Sequence, residues 1–399
     1  MRTQEPVTSA VLPDAIPLIE TDEEQAIRAA VRGIALDYGR QRFLDAVARD
    51  QSPDDLWDAL AAAGYLGINI PEEYGGGGLG MRHLCMVSEE LAATGCPLLL
   101  LLVSPAIGGT ILARHGSEEQ RRRWLPGIGR GTSKLAFAIT EPDAGSNSHN
   151  LNTRARRDGD DWVLSGSKTF ISGVDEADAI LVVARTGTHE ATGRALLTLF
   201  IVDAGAPGLE RQHIPTALDA PERQYSVFLD DVRVGMDRVV GPVGEGLRVG
   251  FDGLNPERLI AATICTGTAR YALERASQYA NERQVWSTPI GAHQGVSHPL
   301  AEAKIALEQA RLMVERGAAL HDAGLPAAEA SNMAKFAAAE AGIRCVDQAI
   351  QTHGGNGVTV EYGLASLWWT VRLMRIAPVS REMLLNYVAE HSLGLPRSY

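Results

Sequence analysis

The chain is poor in cysteine, short of positive charge, and has no unbroken apolar run of membrane length. Its four cysteines, Cys85, Cys96, Cys265 and Cys345, lie far apart and form neither a CxxC nor a zinc-ligand spacing. That excludes a disulfide framework and a cysteine metal cluster, and it reads as free thiols in a reducing, cytoplasmic compartment. Lysine and arginine number 37 against 49 aspartates and glutamates, a net charge of −12. Such a chain gains no counterion-release energy on DNA or RNA, so nucleic acid is not an expected partner. The richest apolar stretch, CPLLLLLVSPAIGG (Cys96–Gly109), is broken by Pro and Gly and is too short to cross a bilayer; it reads as a buried helix. The segment before Thr21 has several prolines and no apolar signal core, so it reads as a flexible arm.

What is present changes texture twice. Residues 1–135 are rich in Ala and Leu, and DDLWDALAAAGYLGI sets Leu56 and Leu60 one helical turn apart before stopping at glycine. Residues 136–242 turn to short β-branched and aromatic runs, DWVLSGSKTFISG, AILVVART, ALLTLFIV and QYSVFLDDVRV, separated by Gly, Asp and Pro: a β domain. Residues 243–399 return to helix, as in HPLAEAKIALEQARLMVERGAALHDAG. The layout is α+β and multi-domain. PEEYGGGGLG (Pro71–Gly80) lacks the Lys-Ser/Thr of a phosphate loop and reads as a tight connection between helices.

Four segments carry candidate chemistry. In AFAITEPDAGSN (Ala136–Asn147) an apolar strand runs into a polar turn able to hold a planar ligand at its end. In WVLSGSKTFISG (Trp162–Gly173) an aromatic and a hydroxyl, Phe170 and Ser172, share one strand face. NERQVWSTPIGAHQ (Asn281–Gln294) sets an Arg, an aromatic and a Gln at the end of a helix, and QTHGGNG (Gln351–Gly357) supplies glycines for close backbone approach. Taken singly, the last two also read as a capped helix end and a tight turn.

In this order and layout, from YLGINIPEEYGGGGLG through GSEEQRRRWLPGIGRG to the last helix, the chain resembles the acyl-CoA dehydrogenase family. The resemblance implies an N-terminal helical domain, a middle β-barrel and a C-terminal four-helix bundle, assembled as a homotetramer or dimer. It implies FAD as cofactor. Phe137, Ile139 and Thr140 would contact the flavin, Phe170 and Ser172 would cover its ring, and Ser380 would lie near it. Arg283, Trp286, Gln294, Gln351 and Gly355 would reach the pyrophosphate and adenosine half of FAD on a neighbouring subunit, where a planar guanidinium suits pyrophosphate. Ser146 would bond near the acyl thioester and pantetheine. Three positions depart from the family pattern: Trp286-Ser287 replaces Phe-Gly, Phe170 replaces Trp, and Gly145-Ser146-Asn147 replaces Gly-Ser-Asp. The flat faces persist, so FAD binding is still expected.

The implied reaction is α,β-dehydrogenation of an acyl thioester, and its base is the difficulty. Most members place a Glu in a loop near Ile-Tyr-Glu-Gly-Thr; here the loop reads Ile376-Ala377-Pro378-Val379-Ser380, and the Glu position is Pro378. Proline carries no proton acceptor and no N–H. The family uses the N–H at this position to polarise the thioester carbonyl, and losing one such donor can cost roughly 3–4 kcal/mol of barrier. Some members carry the base on a long C-terminal helix, and Glu257 of LNPERLIAA falls there, beside Arg258, a candidate substrate contact. Asn255-Pro256-Glu257 also reads as a helix start: an N-cap, a Pro at the first position and an acid in the first turn. Glu382 sits about one turn beyond the gap, and Glu361 matches a structural acid; neither is expected to be the base.

The stretch around Val103 would floor the acyl pocket and is apolar, which favours an aliphatic or aryl acyl group. The substrate arm is CoA or a carrier protein, and the expected electron acceptor is an electron-transfer flavoprotein. The alternatives are a flavin monooxygenase or oxidase on the same fold, or a catalytically inactive relative.

Overall fold

A computed structural model describes residues 19–398, so most of the arm read from the sequence, residues 1–18, lies outside the described part. Six helices open the chain: α1 (Asp22–Tyr38), α2 (Arg40–Ala48), α3 (Asp54–Ala62), α4 (Met81–Ala93), α5 (Thr110–His115) and α6 (Glu118–Gly129). The starts of α1 and α6 are fixed by capping boxes, Thr21 with Glu24 and Ser117 with Gln120, each satisfying two amides that a bare helix end leaves unbonded. The apolar stretch expected as a helix is buried, but Leu102–Gly109 is wound as a π-helix around Pro105. A proline inside a helix removes one bond and crowds the preceding turn, and a wider turn accommodates both.

Eight strands follow: β1 (Leu135–Ala138), β2 (Arg154–Asp158), β3 (Asp161–Ser172), β4 (Ala179–Thr188), β5 (Ala195–Asp203), β6 (Leu209–Ile214), β7 (Gln224–Gly235) and β8 (Val239–Val240). They form one sheet in the order β6-β7-β3-β2-β4-β5-β8, with β1 parallel to β4. The expected β-barrel does not close. β6 exposes Glu210, Arg211, Gln212 and His213, the dress of an edge strand, and β8 is two residues long.

The helical part that follows holds α7 (Gly246–Glu282), α8 (Gln294–Asp322), α9 (Ala328–His353) and α10 (Ala365–Ile376) as a four-helix bundle, with short α11 (Arg381–Tyr387) appended. A two-residue-per-strand hairpin, β9 (Gln284–Val285) and β10 (Thr288–Pro289), links α7 to α8. One apolar core runs through the N-terminal helices and the bundle, and a second fills the sheet. β1 joins them by its period-two alternation: Leu135 and Phe137, with Ile139 just past the strand, pack with the helical core, while Ala136 and Ala138 face the sheet core. No helix among the described residues is long and apolar enough to cross a membrane.

A buried ionic cluster ties the first helices to the bundle. Glu89 on α4 accepts from Arg28 (2.7 Å), Arg311 (2.9 Å) and the Thr266 hydroxyl (2.9 Å), and Glu90 from Arg28 (2.9 Å) and Arg270 (2.5 Å). Burial works against the Glu89 charge, but the arginines prevail and hold its carboxyl at about 2.

Candidate active site

The turn after β1 is welded to β3 by a buried ion pair. Lys168 Nζ donates to Glu141 Oε1 at 2.8 Å and to the Ile139 carbonyl at 3.1 Å. Glu141 also accepts the amides of Asn152 (2.6 Å) and Thr153 (2.9 Å), and Thr169 N–H donates to the Thr140 carbonyl at 2.9 Å. Burial brings Lys168 down to about 8 and opposes the Glu141 charge as well, yet the bonds Glu141 accepts keep its carboxyl below the ordinary value. The pair fixes where Ile139 and Thr140 sit; removing one partner alone would cost about 3–5 kcal/mol.

Further along β3, the register with β7 slips between Lys168 and Ile171, and Phe170 in this bulge has φ 55°. A left-handed backbone is costly for an aromatic residue, about 1–3 kcal/mol. The structure holds it nonetheless and leaves the ring 60% exposed. Ser172 stands beyond it, with Gln224 Nε2 donating to its Oγ at 2.9 Å. The Ser172 hydroxyl in turn lies 3.1 Å from Gln224 Oε1, to which it can donate, so Gln224 holds this serine in place beside Phe170. Ser146 is exposed on the polar turn after Glu141.

Glu257 occupies a different kind of place. α7 begins at Gly246, so Asn255-Pro256 is not a helix start: Pro256 lies inside the helix and Glu257 is more than two turns from its end. The expectation of an acid in a first turn, kept ionised by the helix terminus, is therefore incorrect. Glu257 is buried, and its carboxylate makes no hydrogen bond among the described residues. Burial pushes it up to about 7, against the pull of Arg258 and Lys335. Arg258 donates to Asn255 Oδ1 at 2.9 Å, while its Nε is buried without a partner. One turn earlier on the same face, a Cβ at Gly253 would come within 2.8 Å of Ile111 and 3.1 Å of Ile107. That glycine lets α7 press against the segment that contains buried Val103.

The loop with the missing acid is clamped to α9. Arg375 and Arg381, on either side of it, both reach Glu340 Oε1, at 2.9 and 3.0 Å. Lys335 donates to the Val379 carbonyl between them. Ala377–Pro378 is a cis peptide. Ser380 N-caps α11, its Oγ accepting from Met383 N at 3.3 Å. Glu382 lies in the first turn of α11.

A third group is exposed at one end of the bundle. Arg283 follows the last turn of α7 with no carboxylate partner among the described residues, and Trp286, 90% exposed, holds φ 55° at the tip of the β9–β10 hairpin. That first turn position ordinarily takes glycine. Gln294 opens α8, and Gln351 and Gly355 lie at the end of α9, exposed. Tyr279 stacked on His353 at 4.3 Å, with Asn356 donating to the Tyr279 hydroxyl at 3.2 Å, brings the two segments together. Among the described residues, no hydrogen bond, ion pair or ring contact joins this group to Phe170 or Ser172 within the chain. Two aromatic rings held out in strained backbones, a serine hydroxyl beside one of them and an unpaired guanidinium fit a long, planar, phosphate-bearing ligand.

The domain order matches as well. Residues 21–132, 136–232 and 244–393 correspond to the acyl-CoA dehydrogenase N-terminal, middle and C-terminal domains. Acyl-CoA dehydrogenase FadE12 of Mycobacterium tuberculosis is 54% identical over 383 residues, 96% of this chain and 98% of that protein. The chain belongs to the acyl-CoA dehydrogenase family. Butyryl-CoA dehydrogenase from Megasphaera elsdenii superimposes with a TM-score of 0.89 at 25% identity, over 94% of this chain and 99% of that one. The FAD complex of PigA superimposes with the same TM-score at 26% identity, over 95% and 99%. For this dehydrogenase, the sequence reading missed four residues that hold the candidate site: Glu141 and Lys168, Gln224, and Lys335. Each acts through a partner distant in sequence, so no local pattern marks it.

Proposed function

We propose that this acyl-CoA dehydrogenase oxidises the α,β bond of an acyl-CoA thioester with FAD as cofactor and Glu257 as the base. The observation that carries the reading is the state of Glu257: buried, without a hydrogen bond, pushed up to about 7, and beside two cations. A base whose pKa sits near the working pH combines a useful ionised fraction with real proton affinity. When bound, FAD supplies an acceptor for the β-hydrogen and its electron pair. Phe137, Ile139, Thr140, Phe170, Ser172 and Ser380 would hold its ring side. Arg283, Trp286, Gln294, Gln351 and Gly355 would serve the pyrophosphate–adenosine half on a neighbouring copy, which requires a homo-oligomer, a tetramer or dimer. Ser146 would bind near the thioester and pantetheine, Val103 would line an apolar acyl pocket, and Arg258 would contact substrate. The buried position of Val103 supports an aliphatic or aryl acyl group. CoA is favoured over a carrier protein by the family, an electron-transfer flavoprotein is the proposed acceptor, and the cytoplasm the proposed compartment.

The test is anaerobic. The purified flavoprotein is mixed with butyryl-, isobutyryl-, palmitoyl- and phenylpropionyl-CoA, and the flavin absorbance is followed. Bleaching by at least one of them is expected; Glu257→Gln should keep the yellow cofactor and lose the bleaching. No bleaching across the panel overturns the reading and returns the oxygen-using alternative.

A further inference from the structure

Lys335 is the most deeply buried cation of the bundle, 1% exposed in the middle of α9. Burying an ammonium is expensive unless it is paired or hydrogen-bonded. Its one hydrogen bond among the described residues goes to a backbone carbonyl, that of Val379, in the loop where proline replaces the usual acid. The other charged or titratable groups facing it are Glu257, Arg258 and Cys265 from α7 and Glu382 from α11. Glu340, further along α9, holds the two arginines flanking the same loop. The lysine therefore ties the loop to α9, which packs along α7, the helix that carries Glu257.

We infer that Lys335 is a positioning residue for proton abstraction: it clamps the Ala377–Ser380 loop through the Val379 carbonyl and keeps a positive charge beside Glu257. The inference rests on Glu257 being the base. A nearby ammonium favours the carboxylate over the acid, so the fraction of enzyme ready to accept a proton depends on it. The direction agrees on both sides: Lys335 opposes the upward push of burial on Glu257, and Glu257 opposes the downward push of burial on Lys335, which stands at about 8.

Three variants separate charge from hydrogen bond. Lys335→Gln keeps an N–H donor without charge, Lys335→Met keeps length alone, and Lys335→Arg keeps charge and donor. The readout is the pH profile of anaerobic flavin bleaching by the most effective acyl-CoA of the panel, normalised to bound flavin. Loss of the charge should move the acid limb up by about 1 pH unit in Lys335→Gln and Lys335→Met. Lys335→Arg should return it to the wild-type position. Lys335→Met, with the clamp also gone, should be slower than Lys335→Gln on the plateau. An unmoved limb in Lys335→Gln, or loss of flavin from all three variants, overturns the inference in favour of a purely structural lysine. Glu257→Gln run alongside keeps the failures distinct: if it bleaches at the wild-type rate, the base assignment is wrong whatever Lys335 does.

Discussion

Two buried carboxylates packed on or against α7, Glu257 and Glu89, are pushed in opposite directions by their surroundings. Glu89 and Glu90 meet the helix at Thr266 and Arg270, surrounded by three arginines, and Glu89 is held at about 2. Glu257, about 13 Å earlier on the same helix, has cations near it but no hydrogen bond, and rises to about 7. The difference lies in satisfaction rather than depth. A carboxylate whose lone pairs are all taken has no capacity left for a substrate proton, and its burial serves to join helices. One left unbonded retains that capacity. Perturbed acids of the second kind mark functional sites more reliably than buried acids in general.

Neutralising the two sides should give opposite phenotypes. The largest effect is expected for Glu257→Gln: flavin reduction by acyl-CoA should fall by about 10²–10⁴-fold. The fold should not suffer. The folded-state value, about 7, is above the ordinary 4.5, so the folded protein binds the extra proton between those limits. Its contribution to stability falls as pH rises from about 4.5 to 7 and stays low above. Melting curves of wild type and Glu257→Gln should therefore coincide near pH 4.5 and diverge towards pH 8, with the variant the more stable. A variant that melts lower at pH 8 contradicts this account of the site.

Glu89→Gln should do the reverse. Arg28 and Arg311 would be left partly unpaired in a buried place, a loss of about 3–5 kcal/mol measurable by chemical denaturation. Bleaching per bound flavin should stay within about twofold of wild type, with its acid limb unmoved. In the wild type the Glu89 contribution is complete above about 4.5 and is lost as pH falls towards 2, because the folded-state value is depressed. If the limb moves with Glu89→Gln, the two clusters are coupled along α7 and the contrast fails.

The two clusters also differ in how far they were legible in the sequence. The helix–sheet–helix order followed from periodicity, and the gap at Pro378 from the chemistry of proline. That Glu257 is buried and unbonded did not follow. Asn255-Pro256 carries the local signature of a helix start, and only the continuation of α7 back to Gly246 overrides it. The resemblance implied a closed barrel, but closure depends on what β6 and β8 meet across space. The Glu141–Lys168 pair spans 27 residues and the Lys335–Val379 bond 44. Such pairings are tertiary, and neither a period of two nor one of 3.6 registers them.

Glu222 tests whether a buried acid with an unsatisfied oxygen must be catalytic. One oxygen accepts the Leu100 amide at 2.8 Å, the other is buried without a partner, and burial pushes the group up to about 8. It shares a small cavity with Trp57, Leu98 and Lys134, so it resembles Glu257 electrically without facing the Pro378 loop. The sign follows the Glu257 case over a wider window: stability is lost as pH rises from about 4.5 to 8. Glu222→Gln keeps an acceptor for Leu100 and removes the charge. It should match wild type near pH 5 and melt about 1–2 °C higher at pH 9. Equal melting points at pH 9 would mean that the folded protein already stabilises the Glu222 carboxylate. An unbonded buried oxygen would then no longer distinguish Glu257 from the structural acids, and its role would rest on its place beside Arg258 and the Lys335 clamp alone.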